Sequence, residues 1–147
     1  MTKLGGCPAG LGLALLLPAS AAWGAENGQQ LYATNCAICH MADGAGSPGL
    51  APPLRNPVWK RLGGQAADYV AGVMVSGLVG VPLDGTRYTA AMPPWLQLTD
   101  AQLAAIGSYM LQELNGEKTC VTAAAVKQAR DSSPSYAALK ALRDGGG

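Results

Sequence analysis

The sequence predicts a mainly helical domain in which three or more short helices are separated by long irregular loops. Three segments ahead of residue 117 place apolar side chains at helical spacing. Glycine (20) and proline (10) supply 30 of the 147 residues, too many for the helices to follow one another closely. With three Trp, five Tyr and no Phe, the core is thin. Small domains of that kind commonly rely on disulfides, a metal or a bound group.

The chain opens on an export signal. Lys3 is followed by the apolar run from Leu11 to Leu17, and Pro18 breaks that run before a set of small residues. Cleavage after Ala22 satisfies the small-x-small rule through Ser20, which makes residues 1–22 the leader; cleavage after Ala25 is the alternative. The run is about half of the roughly 20 residues that a spanning helix needs, so no stable membrane insertion is expected. Cys7 precedes the apolar run, which speaks against lipid attachment. Removing Lys3 from the ten basic side chains leaves nine against nine acidic ones. A net charge of zero gives no support to nucleic-acid or anionic-membrane binding.

The expected domain covers residues 26–116. A first helix over about 27 to 37 has Asn27 and Gln30 as a capping pair. A second, over about 65 to 76, carries Tyr69, Val70, Val73 and Met74 on one face. The third has Thr99 and Gln102 as a capping box, Leu98 and Leu103 as a hydrophobic staple, and Leu103, Ile106, Met110 and Leu114 as its apolar face; Gly116 closes it. Residues 43 to 59 and 77 to 95 are the long connections, with Asp84-Gly85 suited to a two-residue hairpin turn. Loops of this length are uncommon unless they serve a function, and both would make sense wrapped around something bulky. Residues 117–147 form a separate extension, packed or mobile, with room for two short helices, the later one started by Ser133-Pro134.

The chemistry concentrates in Asn35-Cys36-Ala37-Ile38-Cys39-His40, which holds the only histidine of the chain. A thioredoxin-like pair would sit at the start of a helix that follows a strand, but here it ends a helical pattern. A structural zinc site needs four ligands, and only Cys120 remains to complete one. Covalent haem attachment needs two thiols about one turn apart and an adjacent imidazole beneath the iron, which is what Cys36, Cys39 and His40 offer. Chance would produce such a motif on the order of once in a thousand chains of this composition.

With Gly28 and Tyr32 before the motif, Gly44, Gly46 and Pro52-Pro53-Leu54 after it, Met92-Pro93-Pro94-Trp95, and Leu98-Thr99-Asp100 with Ile106 and Tyr109 at the end, residues 26 to 116 resemble a bacterial monohaem class I cytochrome c. The resemblance implies helices wrapped around one covalently attached haem c. The first and last helices would cross where Gly28 lets the backbone approach Ile106 and Tyr109. It also implies that the Pro52 carbonyl orients the axial His40, with Pro53 the neighbouring alternative. Arg55, Trp59 and Tyr88 would donate to haem propionates, and Trp95 would cover the haem edge.

Met92 is the expected sixth ligand. It stands in an irregular loop, is followed by the stiffening Pro93 and matches the family's Met-Pro position. Met41 adjoins His40 on the same side, and Met110 reads as core filling. Met74 also reads as core but remains the alternative ligand.

The function that follows is a periplasmic one-electron carrier without substrate chemistry of its own. Its partners would be a redox protein, whether dehydrogenase, reductase or oxidase. A tightly held cytochrome subunit of a dehydrogenase or reductase is the alternative, a haem-free dithiol oxidoreductase the distant one. Only Arg55, Lys60, Arg61 and Arg87 are basic before the extension, so partner binding is expected to rest on apolar surface near Pro93, Pro94 and Trp95. A monomer is expected, with a Cys120-linked dimer as its alternative.

Overall fold

The computed structural model describes residues 27–80 and 82–145. The expected leader lies outside the described residues. Within the described residues, seven α-helices run in the order α1 Gly28–Asn35, α2 Ala37–His40, α3 Val58–Leu62, α4 Ala66–Ser76, α5 Asp100–Gln112, α6 Ala123–Ser132 and α7 Tyr136–Gly145, with a 3-10 turn at Gly63–Gln65. Among the described residues β structure is confined to isolated bridges, and no helix is long and apolar enough to cross a membrane.

The first expected helix is broken in two. Asn27 caps α1 by accepting from the Gln30 amide at 3.1 Å, but at Cys36 the backbone opens to φ −110°. The Asn35 side-chain amide also binds the Leu31 carbonyl at 2.8 Å, occupying a terminal acceptor of α1. The chain then restarts as α2, ending on His40.

The α1–α5 crossing frames the domain. Gly28 meets Tyr109, as the resemblance implied, and the Ala105 carbonyl that precedes Ile106: a Cβ at Gly28 would lie 2.2 Å from that oxygen and 3.0 Å from Tyr109 Cβ. Tyr32 packs its ring 5.4 Å from that of Tyr109, centroid to centroid. The α5 capping box is complete, with Thr99 accepting from the Gln102 amide at 3.1 Å and Gln102 accepting from the Thr99 amide at 3.0 Å. Its face buries Leu103, Ile106 and Met110. Gly116, at φ +69°, turns the chain so that Glu117 donates back to Leu111.

Helix α3 begins within the last two residues of the stretch expected to be irregular and continues beyond it. Asn56 accepts from the Val58 amide at 2.8 Å, and Val58, Trp59 and Leu62 are buried. Asn56-Pro57 ahead of these apolar residues was the helix-start signal there.

The long connections satisfy their backbone groups on each other, as buried backbone must. Thr89 and Ala90 donate to Gly49 and Leu50, while Leu78 and Met92 exchange both hydrogen bonds of a bridge. Asp84 and Gly85, both at positive φ, make the expected tight turn between Leu83 and Thr86.

The extension is packed. Val121 fills a niche at Gly107, where a Cβ would come within 2.6 Å of its side chain, and Leu139 fills a similar niche at Gly72. Val126, Ala129 and Leu139 are buried in the same core as α4 and α5. Arg130 donates to Asp100 at 2.7 Å and to the Leu98 carbonyl at 2.6 Å, fixing the start of α5. Cys120 is half-buried and is not a free thiol.

Candidate haem-binding site

The step at Cys36 from α1 to α2 brings Cys36, Cys39 and His40 onto one wall of a cleft. Three bonds brace that wall. Tyr32 donates its hydroxyl to the Met41 carbonyl at 2.9 Å, Ser47 donates to the Cys39 carbonyl at 2.9 Å, and the Gly46 amide donates to the His40 carbonyl at 3.0 Å. His40 is 8% exposed, and its Nδ1 lies 2.9 Å from the Pro52 carbonyl oxygen. As the donor in that contact, Nδ1 carries the proton, and Nε2 keeps its lone pair for a metal. Burial holds the imidazole below its usual pKa, against a smaller opposite pull from the Pro52 carbonyl. The ring is therefore neutral at neutral pH, as a metal ligand must be.

Met92 enters from the other connection. Its amide donates to Leu78 at 2.9 Å and its carbonyl accepts from Leu78 at 3.0 Å, while Trp95 donates to the Met74 carbonyl at 2.9 Å. The segment from Met92 to Trp95 is thereby tied to the last turn of α4. Gly77 makes the close approach there: its φ is +70°, and a Cβ would lie 2.6 Å from the Met92 carbonyl oxygen.

Two adjoining chambers share Cys36, His40 and Met92 in their walls. The outer cleft, about 700 Å³ of empty space counted to its open mouth, adds Cys39, Pro52, Tyr88 and Trp95. The inner chamber, about 470 Å³ counted likewise to its open mouth, is lined almost wholly by apolar atoms and adds Trp59, Tyr69, Met74 and Met110. Of the residues expected at the site, Arg55 is exposed and lines neither chamber. Trp59 lines the inner one, but its indole N–H donates to the Leu54 carbonyl at 2.6 Å. Met74 shares the inner chamber with Met92.

Sequence reasoning passed over Ser47, Gly77 and Leu78, and it quoted Gly46 only as part of the resemblance, without the brace that its amide gives to His40. Serine gives no motif signal. Gly77 could have been suspected from its place at the end of a helix.

The donor set fits a covalently attached haem: two thiols and a neutral imidazole on one wall, a thioether carried to the same cleft by a separate loop, and an apolar chamber between them. Burial, with a further contribution from Cys39, pushes the Cys36 thiol up to about 12, the opposite of the lowered pKa that dithiol exchange uses. Among the described residues no group of three or more His, Cys, Asp or Glu side chains could hold a metal ion by itself.

The cytochrome c family model matches residues 25–113. A cytochrome c-552 of Thermus thermophilus is 34% identical over 96 residues, which cover 64% of this chain and 64% of that protein. The chain thus spans just under two thirds of that relative's length. The fructose dehydrogenase cytochrome subunit of Gluconobacter japonicus is 34% identical over 113 residues, 71% of this chain and 22% of that protein. A solved structure of the c-type cytochrome XoxG from Methylobacterium extorquens AM1 covers 76% of this chain and 68% of its own, at 19% identity and a TM-score of 0.42, too loose a likeness to carry a structural inference. Since the matched residues 25–113 hold the motif, both connections and the crossing helices, the chain belongs to the cytochrome c family, whose members bind covalently attached haem c.

Proposed function

We propose that the chain is a periplasmic electron carrier that holds one electron on a haem c joined to Cys36 and Cys39 and ligated by His40 and Met92. One observation carries the proposal: His40, at the end of α2, and Met92, on a separate loop, line both chambers together with Cys36. When bound, the haem supplies a one-electron couple. The chain's own residues do the rest. The Pro52 carbonyl keeps the His40 ring in one tautomer. The Leu78 bridge keeps the Met92 backbone in one place. The apolar chamber walls lower the polarity around the group, so less needs to rearrange when the charge changes. No catalytic residue is assigned, and a monomer is proposed.

Met92→Ala tests the ligand. The ferric wild type is expected to show the weak absorption band of an iron–sulfur bond, and the variant is expected to lose it while keeping its covalent haem. Survival of the band in Met92→Ala together with its loss in Met74→Ala would move the assignment to Met74.

Partner binding is proposed to rest on apolar surface. Besides Pro93, Pro94 and Trp95, the exposed Ile38, Leu50 and Val79 each adjoin, in sequence, residues that line the outer cleft. With four basic side chains in residues 26–116, the electron-transfer rate to a partner is expected to change less than about tenfold between low and moderate ionic strength. A steep fall measured by stopped flow would count against this surface.

A second reading, a cytochrome subunit held by a dehydrogenase, is favoured by two relatives. The fructose dehydrogenase subunit is one; the other is the cytochrome c subunit of the quinone alcohol dehydrogenase of Gluconobacter oxydans, 34% identical over 85 residues. Copurification of the native chain with a dehydrogenase would distinguish it from a free carrier.

A further inference from the structure

Helix α7 lies beyond residue 113, where the family match ends, and it carries a buried arginine. Arg143 is 5% exposed. Its Nε donates to Asp144 at 2.8 Å, and its guanidinium lies near enough to the Tyr69 hydroxyl for each to influence the other's ionisation. An amphipathic surface helix gains nothing by burying a cation, and the burial is costly unless the charge is paired. Asp144 also pairs with Lys140 on the same helix and is 41% exposed, so water screens it more than Arg143.

Tyr69 connects this cation to the haem-binding site. It is 6% exposed, stands in the first turn of α4 and lines the inner chamber beside Trp59, the ring centroids 6.1 Å apart. The contact is fixed by packing on both sides. Leu139, one turn earlier on α7, is seated in the niche at Gly72, which is nearly one turn after Tyr69 on α4.

We propose that Arg143 is a positioning residue of the haem chamber: it fixes the Tyr69 wall from behind and places a buried positive charge next to the chamber. The inference rests on the proposed haem reading and assigns a part of the site to the extension, outside the matched family region. Ferric haem carries one more positive charge than ferrous haem. A cation held in a low-dielectric surround therefore favours the ferrous state, and a closed wall does the same by excluding water. Both effects raise the reduction potential, and both pass through the Arg143–Tyr69 contact.

The test is a mutant cycle on the haem-loaded full chain, read as midpoint potential by redox titration and as stability by urea unfolding. Arg143→Gln is expected to lower the potential, with Arg143→Lys, which keeps the charge, staying nearer to wild type. In the Tyr69→Phe background the shift caused by Arg143→Gln is expected to shrink to less than about half, because residues in contact couple. Equal potentials across the set, or full and additive shifts, overturn the inference while leaving the haem reading intact. So does a loss of stability unaccompanied by a change in potential, which is what mere docking of α7 would give. If Arg143→Gln does not fold, Tyr69→Phe alone, with Arg143 in place, is expected to lower the potential, and an unchanged potential there overturns the inference. A wild-type chain that acquires no haem from cells able to attach it overturns the functional reading and this inference together.

Discussion

Gly28→Ala is expected to destabilise the folded protein by about 2 kcal/mol or more, lowering its urea midpoint well outside the scatter of surface substitutions. Two effects oppose each other. Alanine is a better helix former than glycine by about 1 kcal/mol, which alone would stabilise α1. The added Cβ, however, would lie 2.2 Å from the Ala105 carbonyl oxygen and 2.8 Å from its carbon. Those are backbone atoms of α5 and cannot rotate away as a side chain could. Relief requires the two helices to separate, which also opens the Tyr32–Tyr109 contact and loosens the Tyr32 bond that braces Met41. Overpacking of this kind costs about 1–3 kcal/mol even where neighbours can shift, so sterics win over propensity. Gly64→Ala is the control, since nothing lies within 4 Å of a Cβ there. That variant is expected to be neutral or stabilised by less than about 1 kcal/mol. Equal behaviour of the two variants would mean that the α1–α5 crossing is not as close as described.

The parts of the fold that were legible in the sequence are those whose signals are local. The α5 capping box, the Asp84-Gly85 turn and the apolar faces of α4 and α5 each follow from residues within a few positions of one another, and local hydrogen bonding realises them. The cysteine motif was legible because its spacing is chemically restrictive. What stayed hidden depends on partners distant in sequence. The break at Cys36 is held by the braces that Tyr32, Ser47 and Gly46 provide to the residues after it. That the Ala105 carbonyl is the group nearest Gly28 depends on how two helices cross, which periodicity cannot resolve. Arg55 and Trp59 carry suitable donors, yet one faces solvent and the other spends its N–H on the Leu54 carbonyl. The packing of the extension could not be foreseen either. The small residues that receive it, Gly72 and Gly107, are in α4 and α5, far from Leu139 and Val121 in the chain.

Gly77→Ala is expected to leave the protein folded and its haem attached but to release Met92. Gly77 has φ +70° and ψ −177°, a region that is essentially glycine's own. Alanine would carry backbone strain there whatever its neighbours. The strain does not by itself select against the Met92 segment; the contact does. A Cβ would lie 2.6 Å from the Met92 carbonyl oxygen and 3.0 Å from the Pro94 nitrogen, while the adjacent Leu78 makes both bonds of the bridge to Met92. The overlap exists only while the segment is docked, so undocking relieves it. At about 1–3 kcal/mol for such overpacking, the population with methionine off the iron rises by roughly fivefold to 150-fold. The ferric iron–sulfur band should therefore fade at lower temperature and lower urea than in wild type, ahead of global unfolding. Gly63→Ala separates the two causes. Gly63 also has positive φ, +53°, but a Cβ there meets nothing within 4 Å, so that variant should lose stability and keep its band to the unfolding transition. A band equally robust in Gly77→Ala and wild type would show that the end of α4 does not hold the ligand loop.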